Sequence, residues 1–179
     1  MPELILPTAD LADTFAEAVR EFIAEGRGGP GDQSLLGDLV QRLGPPEEPE
    51  TWIEGVLAIE RALTEDPPAA FVPATTFWWV DGLAFLGRIN IRHRLNEHLR
   101  DYGGHIGYDV RPSARRRGHA TAMLAAALPV AAVLGIEKAL ITCDTDNTGS
   151  RKVIEANGGV LEDRRGDKLR FWVPTAPAA

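Results

Sequence analysis

The sequence predicts an α/β (α+β) fold in which helices pack on a mixed sheet, and three observations carry that expectation. The hydrophobic period is mainly helical as far as Asp66 and mainly extended after Pro73. Beyond Asp109 it alternates helix, strand, helix and closes on a strand pair, the order of a sheet with helices laid against it. A length of 179 residues, 44% of them hydrophobic, suffices for one domain with its own core.

The opening ELILP is a short apolar strand closed by Pro7. Thr8 or Asp10 can cap a helix that runs to about Glu25 with Leu11, Phe15, Val19, Phe22 and Ile23 on one face. Glycines between Gly26 and Asp32 end it, and a second helix spans Ser34 to Leu43. After GPPEEPE a third helix begins at Thr51, where Trp52, Val56, Ile59 and Leu63 make one buried stripe. TTFWWV and AFLGRINIRH are strands joined through an Asp81-Gly82 turn, and GHIGYDV is a third strand. Alternation puts Trp78 and Trp79 on opposite faces, one for the core and the other, with Phe77, for an acceptor pocket, although core packing alone would account for all three. A long Ala-rich helix follows from about Arg116 to Leu134, with Gly135 as its cap and Pro129 as a bend or weak turn inside it. KALITCD is a strand, SRKVIEANGG a helix, and GVLED with LRFWV the closing pair. We expect residues 1–179 to form a single domain with a mainly helical part over 1–70, a sheet-bearing core over 71–173 and a tail over 174–179.

Composition narrows the function classes. A net charge of -7 argues against general nucleic-acid binding, because phosphate backbones need a basic face. MPELILPTADLADTF has no basic leader, and no apolar run approaches the roughly 18 residues that span a bilayer, so neither secretion nor a membrane is expected. Cys143 is the single cysteine and cannot form an intramolecular disulfide, which fits a reducing cytoplasm. No Cys or His pair has metal-ligand spacing, and no metal is expected.

Against that acidic background, DVRPSARRRGHATAML places Arg115, Arg116 and Arg117 between a strand and a helix. A helix start presents unpaired N–H groups and a partial positive charge, and small residues at Gly118 and Ala120 let an anion approach the backbone. Guanidinium groups add donors matched to phosphate oxygens, so a diphosphate suits the loop. On charge alone, RRR reads equally well as a solvated turn. The Lys-Ser/Thr of a Walker loop and the G-x-G-x-x-G spacing are both missing.

Arg115-x-x-Gly118-x-Ala120, after a strand ending YDV, resembles the acetyl-CoA signature Q/R-x-x-G-x-G/A of the GNAT superfamily of N-acetyltransferases. LITCDTDN followed by SRKVIEANGG resembles that family's second block, and INIRHRLNE with GGHIGY resembles a bacterial group within it. The resemblance implies a twisted, mostly antiparallel sheet of about six or seven strands, with GHIGYDV and KALITCD splayed around acetyl-CoA. It implies that residues 1–70 lie on the acceptor side and that 71–173 bind the cofactor. It implies that Val110 pairs with the pantetheine arm and that the backbone from Arg116 through Arg117, Gly118, His119 and Ala120 to Thr121 holds the pyrophosphate. Arg115, with Arg116 or Arg117, would reach the nucleotide phosphates, and Asn147 and Ser150 would flank the pantetheine.

It implies an acetyltransferase that acts directly on a primary amine of a small molecule or peptide. A free lysine-like amine with pKa ~10.4 costs roughly 4 to 5 kcal/mol to deprotonate at pH 7, whereas a thiolate of pKa ~8.5 leaves at a cost of about 2. The base therefore matters more than the acid, and Glu97 and His105 lead, with His93 and His98 behind them; His105 reads also as a core histidine bonded to backbone, and Glu97 as a loop cap or ion pair. Ile154 occupies the position where many relatives carry a tyrosine acid. That departure keeps open a CoA-binding sensor or interaction protein without turnover. Glu97, Asp101 and Asp109 would suit a cationic acceptor, and the oligomeric state, a homodimer included, is left open.

Overall fold

In a computed structural model that describes residues 1–176, short polar and glycine-bearing links separate seven strands and five α-helices. The chain runs β1 (Glu3–Ile5), α1 (Ala12–Ala24), α2 (Leu35–Leu43), α3 (Pro49–Glu65), β2 (Ala74–Asp81), β3 (Ala84–Arg92) and β4 (Ile106–Val110). It continues with α4 (His119–Val133), β5 (Lys138–Asp144), α5 (Thr148–Ala156), β6 (Val160–Arg165) and β7 (Lys168–Pro174). Of the expected tail, Pro174 closes β7, Thr175 is buried with its hydroxyl bonded to the carbonyls of Ile136 and Glu137, and 177–179 lie outside the described residues. No helix among the described residues is long and apolar enough to cross a membrane.

The strands form two antiparallel sheets, β1-β2-β3-β4 and β5-β7-β6, which meet where β4 and β5 begin side by side. His105 makes that junction. Its N–H donates to the Leu140 carbonyl at 2.7 Å, and its ring Nδ1 accepts from the Leu140 N–H at 2.9 Å. A side-chain nitrogen thus stands where a second backbone carbonyl would complete the pairing, and the His105 carbonyl accepts from the Arg92 N–H of β3. Gly104 lets the chains come this close: at φ 62° it is left-handed, and an added Cβ would lie 2.4 Å from the Leu140 oxygen. Beyond the junction β4 and β5 form no ladder, and a cleft opens between them.

Helices cover both faces. Under α1, α2 and α3 lies an aromatic core in which Phe15 stacks 4.4 Å from Trp78 and 4.9 Å from Phe85. Under α4 and α5 lies a second core, with Trp79, Ile89, Met123, Ile141 and Phe171 in it. Trp78 and Trp79 do face opposite ways and both are core residues, so core packing and not a pocket accounts for the pair: helices pack on both sides of β2 and leave neither face free. Helix α4 runs unbroken through Pro129 and starts at His119 rather than Arg116. Left-handed backbone at Arg116 (φ 62°) and Gly118 (φ 81°) holds the chain out of the helix until then.

Candidate active site at the splay of β4 and β5

The loop from β4 to α4 is fastened to α1. Glu17, Glu21 and Glu25 follow one another at four-residue spacing, which sets them along one face of the helix. The Arg111 guanidinium donates to Glu21 at 2.7 Å and to Glu17 at 3.1 Å, and Ser113 donates to Glu21 through its N–H and its hydroxyl. Burial alone would raise the Glu21 carboxyl, but these bonds outweigh it and hold its pKa below the usual range. Arg115 donates through both Nη atoms to Glu25 and through Nε to the Val110 carbonyl. It was expected to reach nucleotide phosphates; two of its donors are committed to Glu25 instead. The stripe of glutamates was a readable signal for this docking.

Gly118 then caps α4, and no side chain bonds to the first turn. The turn faces a cavity of about 660 Å³ lined by Val110, Arg115, Arg116, Gly118, His119, Ala120, Thr121, Asn147 and Ser150, every expected cofactor residue except Arg117. Trp79 donates its indole N–H to His119 Nδ1 at 3.3 Å, which places the ring proton of a neutral His119 on Nε2. Asn147 caps α5 by accepting from the Ser150 N–H at 3.0 Å. Asn157 joins the end of α5 to the Thr121 carbonyl of α4 at 3.2 Å.

A second cavity, about 300 Å³, occupies the splay and shares Tyr108, Asp109, Asn147 and Ser150 with the first. Tyr108 and Ser150 share a 2.6 Å hydrogen bond between hydroxyls at that seam. Burial pushes the Tyr108 phenol up to about 12, so it stays protonated throughout the physiological range. Asp109 is the acidic residue common to both cavities, and Arg27 from the segment after α1 donates to it at 3.3 Å. The same Arg27 donates to Asp32 and to the Ser34 hydroxyl; burial alone would raise the Asp32 carboxyl, but the Ser34 hydroxyl, the N–H groups of Gly28 and Ser34 and the Arg27 guanidinium hold it well below the usual carboxylate range. A third cavity, about 520 Å³, adjoins the second through Ser34, Leu35, Asn90 and Arg92 and is walled by Phe71, Asn96 and His98.

Of the residues expected as bases, only His98 lines one of these three cavities, the third. His105 is 8% exposed and its Nδ1 is occupied by Leu140; burial first, and then the charge of Arg92, lower its pKa to about 4. Glu97 is exposed and lines none of these cavities. His93 bonds to Thr75 at 2.8 Å, and His98 stacks on Tyr102. Ile154, at the usual tyrosine position, is fully buried in the core. Cys143 lines the splay cavity, and burial raises its thiol pKa, which disfavours the thiolate. Among the described residues no group of His, Cys, Asp or Glu is arranged to hold a metal ion.

The sequence profile of the acetyltransferase (GNAT) domain matches residues 36–160. The chain belongs to the GNAT acetyltransferase family. That membership places it among the acyltransferases. No curated protein sequence matches it. Its fold is similar to that of Mycobacterium smegmatis RimJ, solved in complex with CoA-disulfide, at TM-score 0.66 and 18% identity over 96% of this chain and 80% of that one. It is also similar to yncA from Salmonella typhimurium, solved with its cofactor acetyl-CoA, at TM-score 0.59 and 10% identity over 99% and 96% of the two chains. A Salmonella typhimurium acetyltransferase that modifies the N-terminal serine of ribosomal protein L7/L12 aligns at TM-score 0.56 and 16% identity over 97% and 92%.

Proposed function

We propose that this protein binds acetyl-CoA across the first cavity and transfers the acetyl group directly to a primary amine entering from the other two. The observation that carries the reading is the uncapped first turn of α4, behind a left-handed Gly118, opening on a 660 Å³ cavity that meets a polar cavity at Tyr108, Asp109 and Ser150. Solved relatives of the same fold hold acetyl-CoA or CoA, which supports the choice of ligand.

Backbone N–H groups of His119, Ala120 and Thr121 hold the diphosphate, and Arg116 adds a guanidinium at the rim. His119 contributes its Nε2–H, since Trp79 occupies Nδ1. Val110, at the end of a strand that has lost its neighbour, offers its backbone N–H to the pantetheine arm, its carbonyl already accepting from Arg115 Nε. The thioester then lies at the seam beside Ser150.

The amine attacks the thioester carbon, forming a C–N bond as the C–S bond breaks. Its proton passes to Asp109 or to water beside it, since Asp109 reaches both cavities. The leaving sulfur receives a hydrogen bond from Ser150, which Tyr108 supports through the 2.6 Å contact. With a pKa of about 12 the phenol does not surrender its proton to a thiolate of ordinary pKa ~8.5; it acts as a bonded donor. The proton chemistry thereby moves from Glu97 and His105 to Asp109, Ser150 and Tyr108, because those three line the seam.

The test combines acetyl-CoA titration with CoA thiol release over a panel of amines. Binding followed by amine-dependent thiol release is the expected result. Binding with no release on any amine would replace the enzyme with a CoA-binding sensor.

A further inference from the structure

The splay cavity contains donors and an acceptor that the protein itself leaves unmet. Arg88 on β3 is 4% exposed and lines the cavity, and neither of its Nη atoms makes a hydrogen bond. Two carboxylates stand nearby but beyond bonding length: Asp109 Oδ2 is 3.8 Å from Nε, and Glu60 Oε1 is 3.9 Å from Nη1. Asp109 is also paired with Arg27, and Glu60, behind β3, accepts from Thr76 while burial raises its pKa. Asn90, two residues along the same face of β3, is 2% exposed and lines the same cavity. Its Nδ2 donates to Thr76 at 3.0 Å, and its Oδ1 has no partner.

The remaining charges on the cavity wall are Arg92, Lys168 and Asp144. Lys168 pairs with Asp144, and Arg92 donates to the carbonyls of Gly103 and Gly104. Arg27 is matched by Asp32 as well as by Asp109, and Lys168 by Asp144, so Asp109 is the carboxylate that the wall keeps beside Arg88, at 3.8 Å, while Arg92 makes no ion pair among the described residues. Of the acidic residues expected to favour a cationic acceptor, Asp101 binds Arg165 and Glu97 is out of reach, and Asp109 alone stays on the wall. Buried polar groups left without partners are costly, and such groups on a cavity wall are completed by water or by a ligand that offers matching groups.

We propose that the acceptor is a free α-amino acid, its carboxylate held by Arg88 and its amine directed by Asn90 Oδ1. The inference rests on the acetyl-transfer reading above. A donor fork and a lone acceptor on one strand face match a molecule whose carboxylate and amine are one carbon apart. An amine at a peptide N-terminus has that carboxyl group locked in an amide and leaves the fork unmet.

The test measures acetyl-CoA affinity by calorimetry and kcat/KM by thiol release, for each standard α-amino acid against its α-amide. The free acids are expected to be preferred about tenfold or more, the size of a charge-assisted hydrogen bond. In Arg88→Met the preference should collapse towards unity, with acetyl-CoA affinity unchanged and Tm unchanged or higher; Arg88→Lys should restore part of it. Equal use of acids and amides, use of neither, or a preference that survives Arg88→Met would overturn the inference while acetyl-CoA binding keeps the cofactor reading standing. A wild-type protein that fails to bind acetyl-CoA would overturn the parent reading. If Arg88→Met does not fold, the wild-type ratio of acid to amide decides alone.

Discussion

On the side of the cleft assigned to acetyl-CoA the wall comes mainly from short local segments, the end of β4, the start of α4 and the start of α5. On the acceptor side the wall is largely side chain, with Arg88, Asn90, Arg92 and Lys168 arriving from two strands and Ser34 from the segment before α2. A backbone site needs small residues at fixed local spacing, and such spacing survives in the sequence. A side-chain site needs partners brought together by the whole fold, and its specificity can change without touching the first. The two sides should therefore fail differently when altered.

The largest effect is expected on the backbone side. Gly118→Glu must force a charged side chain into left-handed backbone at φ 81° and into the mouth of the cavity, so acetyl-CoA binding should be lost beyond detection in a calorimetric titration. Retained binding would break the distinction between the two walls.

Next comes the junction that separates them. The folded pKa of His105, about 4, lies below the ordinary 6.5, so the unfolded chain takes up a proton first as pH falls. Its contribution is fully present above about pH 6.5 and is lost on the way down to about 4, up to roughly 3 kcal/mol at 1.36 kcal/mol per unit. Urea unfolding at pH 7 and pH 4.5 should show a smaller acid loss in His105→Asn than in the wild type. An unchanged loss would remove His105 from the account of the splay.

Ser150→Ala and Tyr108→Phe sharpen the seam. Each should lower kcat by about tenfold to a hundredfold while acetyl-CoA affinity stays near wild type, because the bond matters as charge develops on sulfur. A matching loss of affinity would make the pair a binding element. Smallest of all, Arg115→Ala should cost at most about 1 kcal/mol of stability, since its pair with Glu25 is substantially exposed, and should weaken acetyl-CoA less than tenfold.

The contrast between the walls also explains what the sequence made legible. Element order followed from hydrophobic period, and Gly118, Ala120 and Asn147 followed from a local pattern around two helix starts. The start of α4 was placed three residues early, because nothing in a run of arginines announces that Arg116 adopts a positive φ of 62°. The bond between Tyr108 and Ser150 joins positions 42 apart, and that between Arg27 and Asp109 joins positions 82 apart; no local pattern encodes either. His105 and Asp109 are four residues apart and so share a strand face, but which of them meets solvent and which meets Leu140 depends on how β5 crosses β4. Glu17, Glu21 and Glu25 were readable as a helical stripe, and their partners in the arginine-rich loop were not.

The central claim is that backbone at the start of α4, with the arginines as reinforcement, holds acetyl-CoA. Amide hydrogen exchange resolved to single residues, with and without acetyl-CoA, tests it most directly. The account predicts strong new protection of the His119, Ala120 and Thr121 amides, kept in Arg116→Ala at saturating ligand. Unchanged exchange at those amides in the saturated wild type would contradict it.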